Sequence, residues 1–289
     1  DEVVVVGYGT QKRQFLVGSV SQVSSKELLK APMTNVSNMM TGKLPGVTSI
    51  QRSGQPGSDG TTIFVRGVSS FNNSSPLCIV DGVERMINTV NPNDIESISI
   101  LKDAATSAIY GVRGANGVIL ITTKKAKKNE TLTINYNNNF AVSKVMYIPE
   151  PASPANFIRT LQEGGYTSIW SGQNLETYMG LLSEYNGNPS AYPAGWTEVN
   201  GTKYFLRENS VMKDMFEPAW KQTHNISAQG GSERIKYRLS LGYTDENGIL
   251  VTNKDAFTRT NVTGYVSGDI TSWLTTSLDI SYNNGNKTY

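Results

Sequence analysis

The second half of the chain alternates between apolar and polar residues over long stretches. Such runs cover residues 131–143, 223–229, 234–243, 257–267 and 274–282. Period-two alternation places every second side chain on the same face of a β-strand. Strands of soluble sandwiches average about five or six residues, whereas a strand that crosses a membrane needs about ten. The pattern therefore predicts about five strands of membrane-spanning length.

The connections between these runs alternate in length. Residues 145–221 and 245–256 form long connections, whereas 230–233 and a turn that ends near Trp273 are short. Bacterial outer-membrane barrels have short periplasmic turns and long extracellular loops, and sandwich hairpins follow no such rule. The smallest closed barrels have about eight strands, and an open edge in hydrocarbon leaves backbone groups unpaired at several kcal/mol each. Five strands are therefore expected to belong to a larger barrel.

The first half, to about Lys128, has a different pattern of short apolar strands, short helices and Gly-rich loops. Ser24 and Glu27 have the spacing of a capping box at the start of a helix. This half is predicted to be a mixed α and β domain. The predicted strands are 3–6, 17–23, 47–50, 61–65, 77–80, 95–101 and 118–123, and the predicted helices are 24–30, 35–40 and 104–110.

The composition excludes several kinds of chemistry. A single cysteine, Cys78, permits no disulfide within the chain, and one histidine, His224, is too few for a Cys/His zinc cluster. No motif places an acid or a nucleophile beside His224, so we expect no enzyme activity, no metal and no cofactor. The net charge of +2 offers no field for nucleic acid. Uncharged apolar runs are all shorter than the ~18 residues of a membrane helix.

Several ordered motifs carry a family likeness. The stretch LKDAATSAIYGVRGANGVILITTKK, from Leu101 to Lys125, resembles the plug signature of the SusC/RagA-like TonB-dependent outer-membrane transporters. DEVVVVGYGTQKR at the N-terminus is similar to the TonB box of this family and the segment after it. Further motifs at 42–47, 53–57, 65–67, 76–83 and 94–98 follow in the family's order, and 227–243 and 270–282 resemble its early barrel strands.

The resemblance implies an α+β plug domain followed by antiparallel strands of a transmembrane β-barrel that is incomplete in this chain. The expected segments are a TonB-box-like N-terminus at 1–14, the plug at 15–128, and about five strands with their loops at 129–289. In the family, the plug fills a barrel of about 22 strands. The implied place is the bacterial outer membrane, with the plug facing the periplasm.

The resemblance also implies a function and partners. These transporters import oligosaccharides or peptides in Bacteroidetes-type bacteria, with energy from TonB in the inner membrane and a SusD-like surface lipoprotein over the extracellular face. Outer-membrane lipid is a further expected contact. The sequence does not indicate which residues bind substrate or which glycan or peptide is carried. A secreted β-rich carbohydrate-binding or adhesion module is the alternative.

The N-terminal run is the expected TonB-binding segment. An extended β-branched peptide can join the edge of a partner sheet through backbone hydrogen bonds, and pulling on it is expected to remodel the plug. An ordinary strand within the plug sheet is the other interpretation. The residues of this segment are Asp1, Glu2, Val3, Val4, Val5 and Val6.

The plug motifs supply a second set of candidate site residues. Arg66 and Arg113 are expected either to bind barrel-wall carboxylates or to form local salt bridges within the plug. On a later strand, Arg238 belongs to a basic stripe that is expected to face the lumen and to contact plug carboxylates or water. Lysines at 124–128 are expected to form a solvated linker. The full set of plug-motif residues is Arg66, Gly67, Asp81, Gly82, Lys102, Asp103, Tyr110, Arg113 and Gly114.

Overall fold

The computed structural model describes most of the chain. The described residues are 3–6, 9–12, 20–30, 33–65, 67–68, 74–169, 172–208, 211–251 and 255–289. They form two compact units, one of residues Asp1–Ser143 with Pro218–Tyr289 and the other of Lys144–Glu217. In these ranges no helix is long and apolar enough to cross a membrane.

The N-terminal domain is built on a five-stranded sheet in the order β3-β8-β9-β6-β7. The β6–β9 pair is parallel and the other pairs are antiparallel. Two small hairpins, β1–β2 and β4–β5, stand apart from this sheet. The strands are β1 (Val3–Val6), β2 (Gly9–Lys12), β3 (Val20–Ser24), β4 (Val47–Ile50), β5 (Thr62–Val65), β6 (Leu77–Val80), β7 (Val83–Glu84), β8 (Ile95–Leu101) and β9 (Val118–Thr123).

The core of this domain lies where the apolar strands β8 and β9 meet the helices. Ile95, Ile98 and Ile100 of β8 are fully buried, together with Val36 and Met40 of a short helix. Burying each of these side chains contributes about 1.5–3 kcal/mol. The helices are α1 (Ser25–Leu28), α2 (Val36–Met40) and α3 (Ala104–Ser107), with 3-10 helices at Ile87–Thr89, Pro92–Asp94 and Ala108–Gly114.

Two predicted helices differ from the structure. Ser24 is the N-cap of α1 but makes no side-chain capping bond, and the helix ends at Leu28 rather than Lys30. The carboxylate of Glu27 bonds the ammonium of Lys30 at 2.5 Å instead of reaching back to Ser24. The helix predicted at 104–110 is a short α-helix over Ala104–Ser107 followed by a 3-10 helix over Ala108–Gly114, which is kinked at Gly111 with φ 59° and ψ −147°.

The second half of the larger unit forms one antiparallel sheet in the order β10-β13-β14-β15-β16, which we call the long-strand sheet. Each strand has between 11 and 14 residues, which confirms the five long strands predicted from the alternation. The strands are β10 (Thr133–Ser143), β13 (Ala219–Gly231), β14 (Ile235–Asn247), β15 (Ala256–Asp269) and β16 (Thr275–Thr288).

The long-strand sheet has the opposite burial pattern to a sheet of a water-soluble protein, because polar side chains are buried on one face and apolar side chains are exposed on the other. On β14, Arg238 and Ser240 are buried, whereas Leu239 and Leu241 between them are 49% and 44% exposed. The polar inner face covers the N-terminal domain, and the apolar outer face is uncovered. Apolar residues outward and polar residues inward is the arrangement that a barrel strand adopts when lipid surrounds it.

The smaller unit, between β10 and β13, has its own core. Ile158, Leu175, Tyr178 and Tyr204 are buried together. Ser153 is the N-cap of the helix that follows it, since its hydroxyl accepts a hydrogen bond from the backbone N–H of Asn156 at 3.3 Å. The elements are α4 (Pro154–Glu163), α5 (Leu175–Gly187), a 3-10 helix (Pro189–Ala191), β11 (Trp196–Val199), β12 (Thr202–Phe205) and α6 (Val211–Asp214).

Candidate functional site

Buried polar contacts join the N-terminal domain to the inner face of the long-strand sheet, and we call them the polar interface. Its central element is the segment 87–94, which contains two 3-10 helices. The second of these begins where the Asn91 side chain accepts a hydrogen bond from the backbone N–H of Asn93 at 3.0 Å. Asp94 ends this helix immediately before β8, so its carboxylate emerges from a fixed position at the rim of the domain.

The strongest contact of the polar interface is a buried ion pair. Arg238 Nη2 donates to Asp94 Oδ1 at 3.1 Å, and the two side chains are 7% and 4% exposed. Thr263 of β15 donates its hydroxyl to Asp94 Oδ2 at 3.1 Å. Arg238 also donates to the side-chain oxygen of Gln229. Charge-assisted hydrogen bonds are stronger than neutral ones where water is excluded. Two neighbouring strands, β14 and β15, therefore both bind the carboxylate of Asp94.

A second arginine binds backbone oxygens rather than a carboxylate. Arg259 Nη1 donates to the carbonyl of Asn88 at 2.8 Å, and Nη2 donates to the carbonyl of Thr34 at 2.7 Å. The Arg259 side chain is buried, and its Nε has no hydrogen-bond partner within the described residues. The planar guanidinium therefore holds two segments of the N-terminal domain that are distant in sequence against one strand.

Carboxylates surround this second arginine. Glu246 of β14 accepts a hydrogen bond from the Thr34 hydroxyl at 3.0 Å and pairs with Lys221 at 3.3 Å. Asp59 accepts a bond from the Asn35 amide at 2.6 Å. Burial raises the pKa of the Asp59 carboxyl above its ordinary value, and the nearby charge of Glu246 raises it further. The negative charges of Asp59 and Glu246 stabilise the positive charge of the buried Arg259 guanidinium by electrostatic attraction.

Two asparagines and one glycine complete the polar interface. Asn261 and Asn283 donate to the carbonyl of Thr89 at 3.0 and 3.2 Å. At Gly242, a Cβ atom would lie 2.2 Å from the Asn91 amide nitrogen. Only a glycine lets the side chain of Asn91 approach β14 so closely. Three neighbouring strands thus contact the short segment 87–94.

The lysines that connect the two parts of the unit are mostly solvated, as predicted. Lys125, Lys127 and Lys128 are exposed, whereas Lys124 is half-buried. Lys124 Nζ donates to the carbonyl of Asn93 at 2.8 Å, and burial lowers the pKa of its ammonium. Lys125 Nζ lies 4.7 Å from the ring centroid of Tyr265. Lys128 pairs with Asp269. Long lysine stems cover apolar surface while their ammonium groups reach polar partners.

Asp81 and Gly82 form the tight turn between β6 and β7. Asp81 has φ 49° and Gly82 has φ 88°. The Asp81 carboxylate accepts hydrogen bonds from the backbone N–H and hydroxyl of Thr123 at 3.1 and 2.6 Å. The Asp-Gly turn is therefore fastened to the end of β9, which makes its role structural.

Lys102, Asp103 and Tyr110 organise the turn between β8 and β9. Asp103 is the N-cap of α3, because its carboxylate accepts a hydrogen bond from the backbone N–H of Thr106 at 2.8 Å. Tyr110 packs against the cluster around Leu101 and Val118. The Lys102 side chain lies beside Gly46, where a Cβ atom would be 3.4 Å from its Nζ.

The two candidate arginines have different outcomes. Arg113 forms an exposed ion pair with Glu84 inside the N-terminal domain, which is the local salt bridge among the two alternatives. Arg66 lies outside the described residues, as do Asp1 and Glu2. Gly67 has φ 87°, a backbone conformation that favours glycine. Val3, Val4, Val5 and Val6 form β1, which in the described part of the chain pairs with β2 alone.

Gly114 lies where the surrounding atoms leave no room for a side chain. A Cβ atom there would lie 2.9 Å from the backbone oxygen of Ser107 and 3.2 Å from Tyr110 Cβ and Val118 Cγ2. Replacing Gly114 with alanine is expected to lower the free energy of unfolding of the N-terminal domain by about 1–3 kcal/mol, because a backbone atom cannot yield cheaply. Denaturant unfolding checks the value.

Gly54→Ala is the matched control. Neither Gly54 nor Gly114 has positive φ, and an added Cβ at Gly54 has nothing within 4 Å. Its substitution measures the loss of the backbone freedom of glycine without overpacking. A Gly114→Ala protein as stable as the unmodified one would contradict the close contact.

The lone cysteine and the lone histidine have no catalytic surroundings. Burial raises the pKa of the Cys78 thiol to about 12, so the thiolate is scarce at neutral pH. His224 Nδ1 lies 2.8 Å from the Tyr136 hydroxyl, with the Phe140 ring edge-on to its imidazole. Within the residues that the structure describes, no group of three or more His, Cys, Asp or Glu side chains could hold a metal ion.

Asp94, Arg259 and Glu246 were not singled out as site residues from the sequence. Asp94 lies in one of the ordered family motifs and Arg259 lies on an alternating run, whereas Glu246 lies in the segment 245–256 that was predicted to be a connection and belongs in part to β14. A charged residue at an inward position of an alternating run is the signal that could have found Arg259, and it did find Arg238.

Comparisons with known proteins agree on one family. The TonB-dependent Receptor Plug Domain model matches residues 12–118. The chain is 35% identical to TonB-dependent receptor SusC of Bacteroides thetaiotaomicron over 88% of its length, which is 23% of that relative. It is also 35% identical to TonB-dependent receptor P26 of Formosa agariphila, over 88% of this chain and 24% of the relative. The chain thus spans about a quarter of the length of these curated relatives.

A solved structure supports the same fold. The RagAB peptide importer in its open-open state superposes with a TM-score of 0.81 at 29% identity, over 99% of this chain and 32% of that one. The N-terminal domain is therefore a plug, and the long-strand sheet consists of antiparallel barrel strands. Together, the plug, the long-strand sheet and these likenesses identify the chain as a member of the SusC/RagA-like TonB-dependent transporters.

Proposed function

We propose that the whole protein imports oligosaccharides or peptides across the bacterial outer membrane, with the plug on the periplasmic side. The observation that carries this proposal is the polar interface, since it seats a folded domain against the inner face of a sheet whose outer face is apolar. A barrel whose outer face contacts lipid and whose lumen is occupied by a plug has the arrangement of a gated pore. We assign no catalytic step to it.

The relatives support the kind of cargo and the partners. RagAB is described as a peptide importer, and SusC as a TonB-dependent receptor. We infer that TonB supplies the energy, that a SusD-like lipoprotein covers the extracellular face, and that outer-membrane lipid surrounds the strands. The alternative of a secreted binding or adhesion module does not account for the plug match or for the exposed leucines of β14.

We place the TonB contact at β1. This strand lies outside the five-stranded plug sheet, and its described pairing is with β2 only, in the register Val4↔Gln11 and Val5↔Thr10. One edge of β1 therefore remains for a partner strand. Backbone hydrogen bonds along such an edge would transmit force from TonB into the plug.

Proline substitutions at two neighbouring positions test this contact. N–H groups alternate in direction along a strand, so one of Val4→Pro and Val5→Pro removes a donor from the free edge and the other removes a donor to β2. We expect the free-edge variant to abolish TonB crosslinking and uptake. Val4→Ile and Val5→Ile serve as matched controls and should retain both. Normal uptake in both proline variants would sink the proposal.

A further inference from the structure

Side chains of β14, β15 and β16 hydrogen-bond the plug, through Arg238, Arg259 and Asn283. In contrast, no side-chain hydrogen bond joins β10 or β13 to residues 20–128 in the described part of the chain. Of these five strands, β10 and β13 therefore hold the plug least.

A cavity of about 240 Å³ lies between the plug and the wall, and its lining includes residues of β10 and β13 as well as Tyr243 of β14 and Arg259 of β15. Alternation along the strands directs Asn137 and Asn139 of β10 and Thr223 of β13 toward it, and Asn93 lines it from the plug. Amides and hydroxyls each offer donors and acceptors. Asn137 is exposed and Asn139 is half-buried, so their amides are accessible to a solute.

The charged groups around the cavity already have partners. Lys221 pairs with Glu246 at 3.3 Å, and the Arg259 guanidinium donates to two backbone carbonyls. The cavity therefore presents neutral hydrogen-bonding groups, together with the apolar side chains of Leu29, Met33 and Met39, rather than a free charge. This chemistry fits a solute rich in hydroxyls or amides, and the volume suits one sugar ring or one amino-acid residue.

We propose that this amide-lined cavity is a binding subsite for an uncharged, hydrogen-bonding part of the imported solute, and that the solute passes the plug along β10 and β13. The inference rests on the proposed import function. An oligosaccharide and the backbone of a peptide share the required chemistry, and the experiment distinguishes these two sources.

Three consecutive asparagines make a sharp test. All three asparagines border the cavity. Alternation along β10 directs the side chains of Asn137 and Asn139 into it, whereas the side chain of Asn138, which is paired with His224, points to the outer face. Single Asn→Cys variants at the three positions can be labelled with a soluble thiol reagent in the whole protein. Cys78 is replaced by serine in these variants, so that the introduced cysteine is the one thiol of the chain.

Labelling is measured alone, with a pool of neutral oligosaccharides, and with a pool of neutral peptides. We expect one pool to slow labelling at positions 137 and 139 by about ten-fold when present at about ten times its dissociation constant, because one-tenth of the sites then remain free. Labelling at position 138 should not change. The pool that protects identifies the source of the ligand, and no protection by either pool would overturn the inference.

Uptake measurements separate this inference from the proposed function. Asn137→Trp and Asn139→Trp fill the cavity and are expected to reduce uptake at least about ten-fold, whereas Asn138→Trp should transport normally. Failure of the unmodified protein to import any member of either pool would contradict the proposed function itself. Normal uptake in all three tryptophan variants would contradict only the route along β10 and β13.

Discussion

Replacing Asp94 with alanine is expected to lower the free energy of unfolding of the plug by about 3–5 kcal/mol, because it leaves the Arg238 guanidinium buried without its carboxylate. Arg238 is 7% exposed, so water cannot take over the role of Asp94. Thr263 loses its acceptor in the same change. The measurement is pulse labelling of Cys78 against denaturant concentration in the whole protein, since this thiol becomes reactive when the plug opens.

A double-mutant cycle separates the attraction between Asp94 and Arg238 from the free-energy cost of burying their two charges. Arg238→Met with Asp94→Leu removes both charges and keeps apolar volume, so it is expected to be more stable than either single variant. The exposed pair Arg113–Glu84 is the matched control, and Glu84→Ala should cost less than about 1 kcal/mol. If Asp94→Ala costs no more than Glu84→Ala, the plug does not depend on the buried pair.

Much of this architecture is predictable because the solvent on each side of a strand selects its residues. Lipid on one face and a polar interior on the other produce a two-residue period, and that period alone predicts Arg238 inward and Leu239 outward, as their burial confirms. The turn at Asp81 and Gly82 is also predictable from the local sequence, because Asp and Gly are among the residue types that adopt positive φ.

The partners across the polar interface could not be predicted from local pattern. Arg238 and Asp94 are 144 residues apart in sequence, and Arg259 and Thr34 are 225 residues apart. A period of two indicates which face a side chain occupies, but not which distant segment lies opposite. Arg113 shows the same limit, because both a local and a barrel carboxylate were compatible with its motif, and the nearby Glu84 binds it.

Competition between side chains explains a prediction that was wrong. The capping box at Ser24 depends on Glu27 reaching back, yet Glu27 bonds Lys30 three residues ahead. The lysine-rich linker was expected to be solvated because charge runs usually are, and three of its four lysines are exposed. Lys124 departs from this pattern, because its ammonium donates to the carbonyl of Asn93 where the chain crosses from the plug to the wall.

Removing the Arg259 guanidinium is expected to have the second large effect. An Arg259→Met variant loses two charge-assisted hydrogen bonds of about 1.5–3 kcal/mol each and leaves the carbonyls of Thr34 and Asn88 unpaired in a dry environment. We expect the free energy of unfolding of the plug to fall by about 3–5 kcal/mol. The same Cys78 labelling profile measures this change.

Arg259→Lys distinguishes the role of geometry from that of charge. A lysine keeps the positive charge near Glu246 and Asp59 but cannot present two parallel donors, so it should recover about half of the lost free energy. Full recovery by lysine would mean that charge balance with these carboxylates, and not the planar fork, holds the two plug segments. An Arg259→Met protein within about 1 kcal/mol of the unmodified one would rule out both explanations, and the fastening of the plug would then rest on Asp94 and the asparagines that contact Thr89.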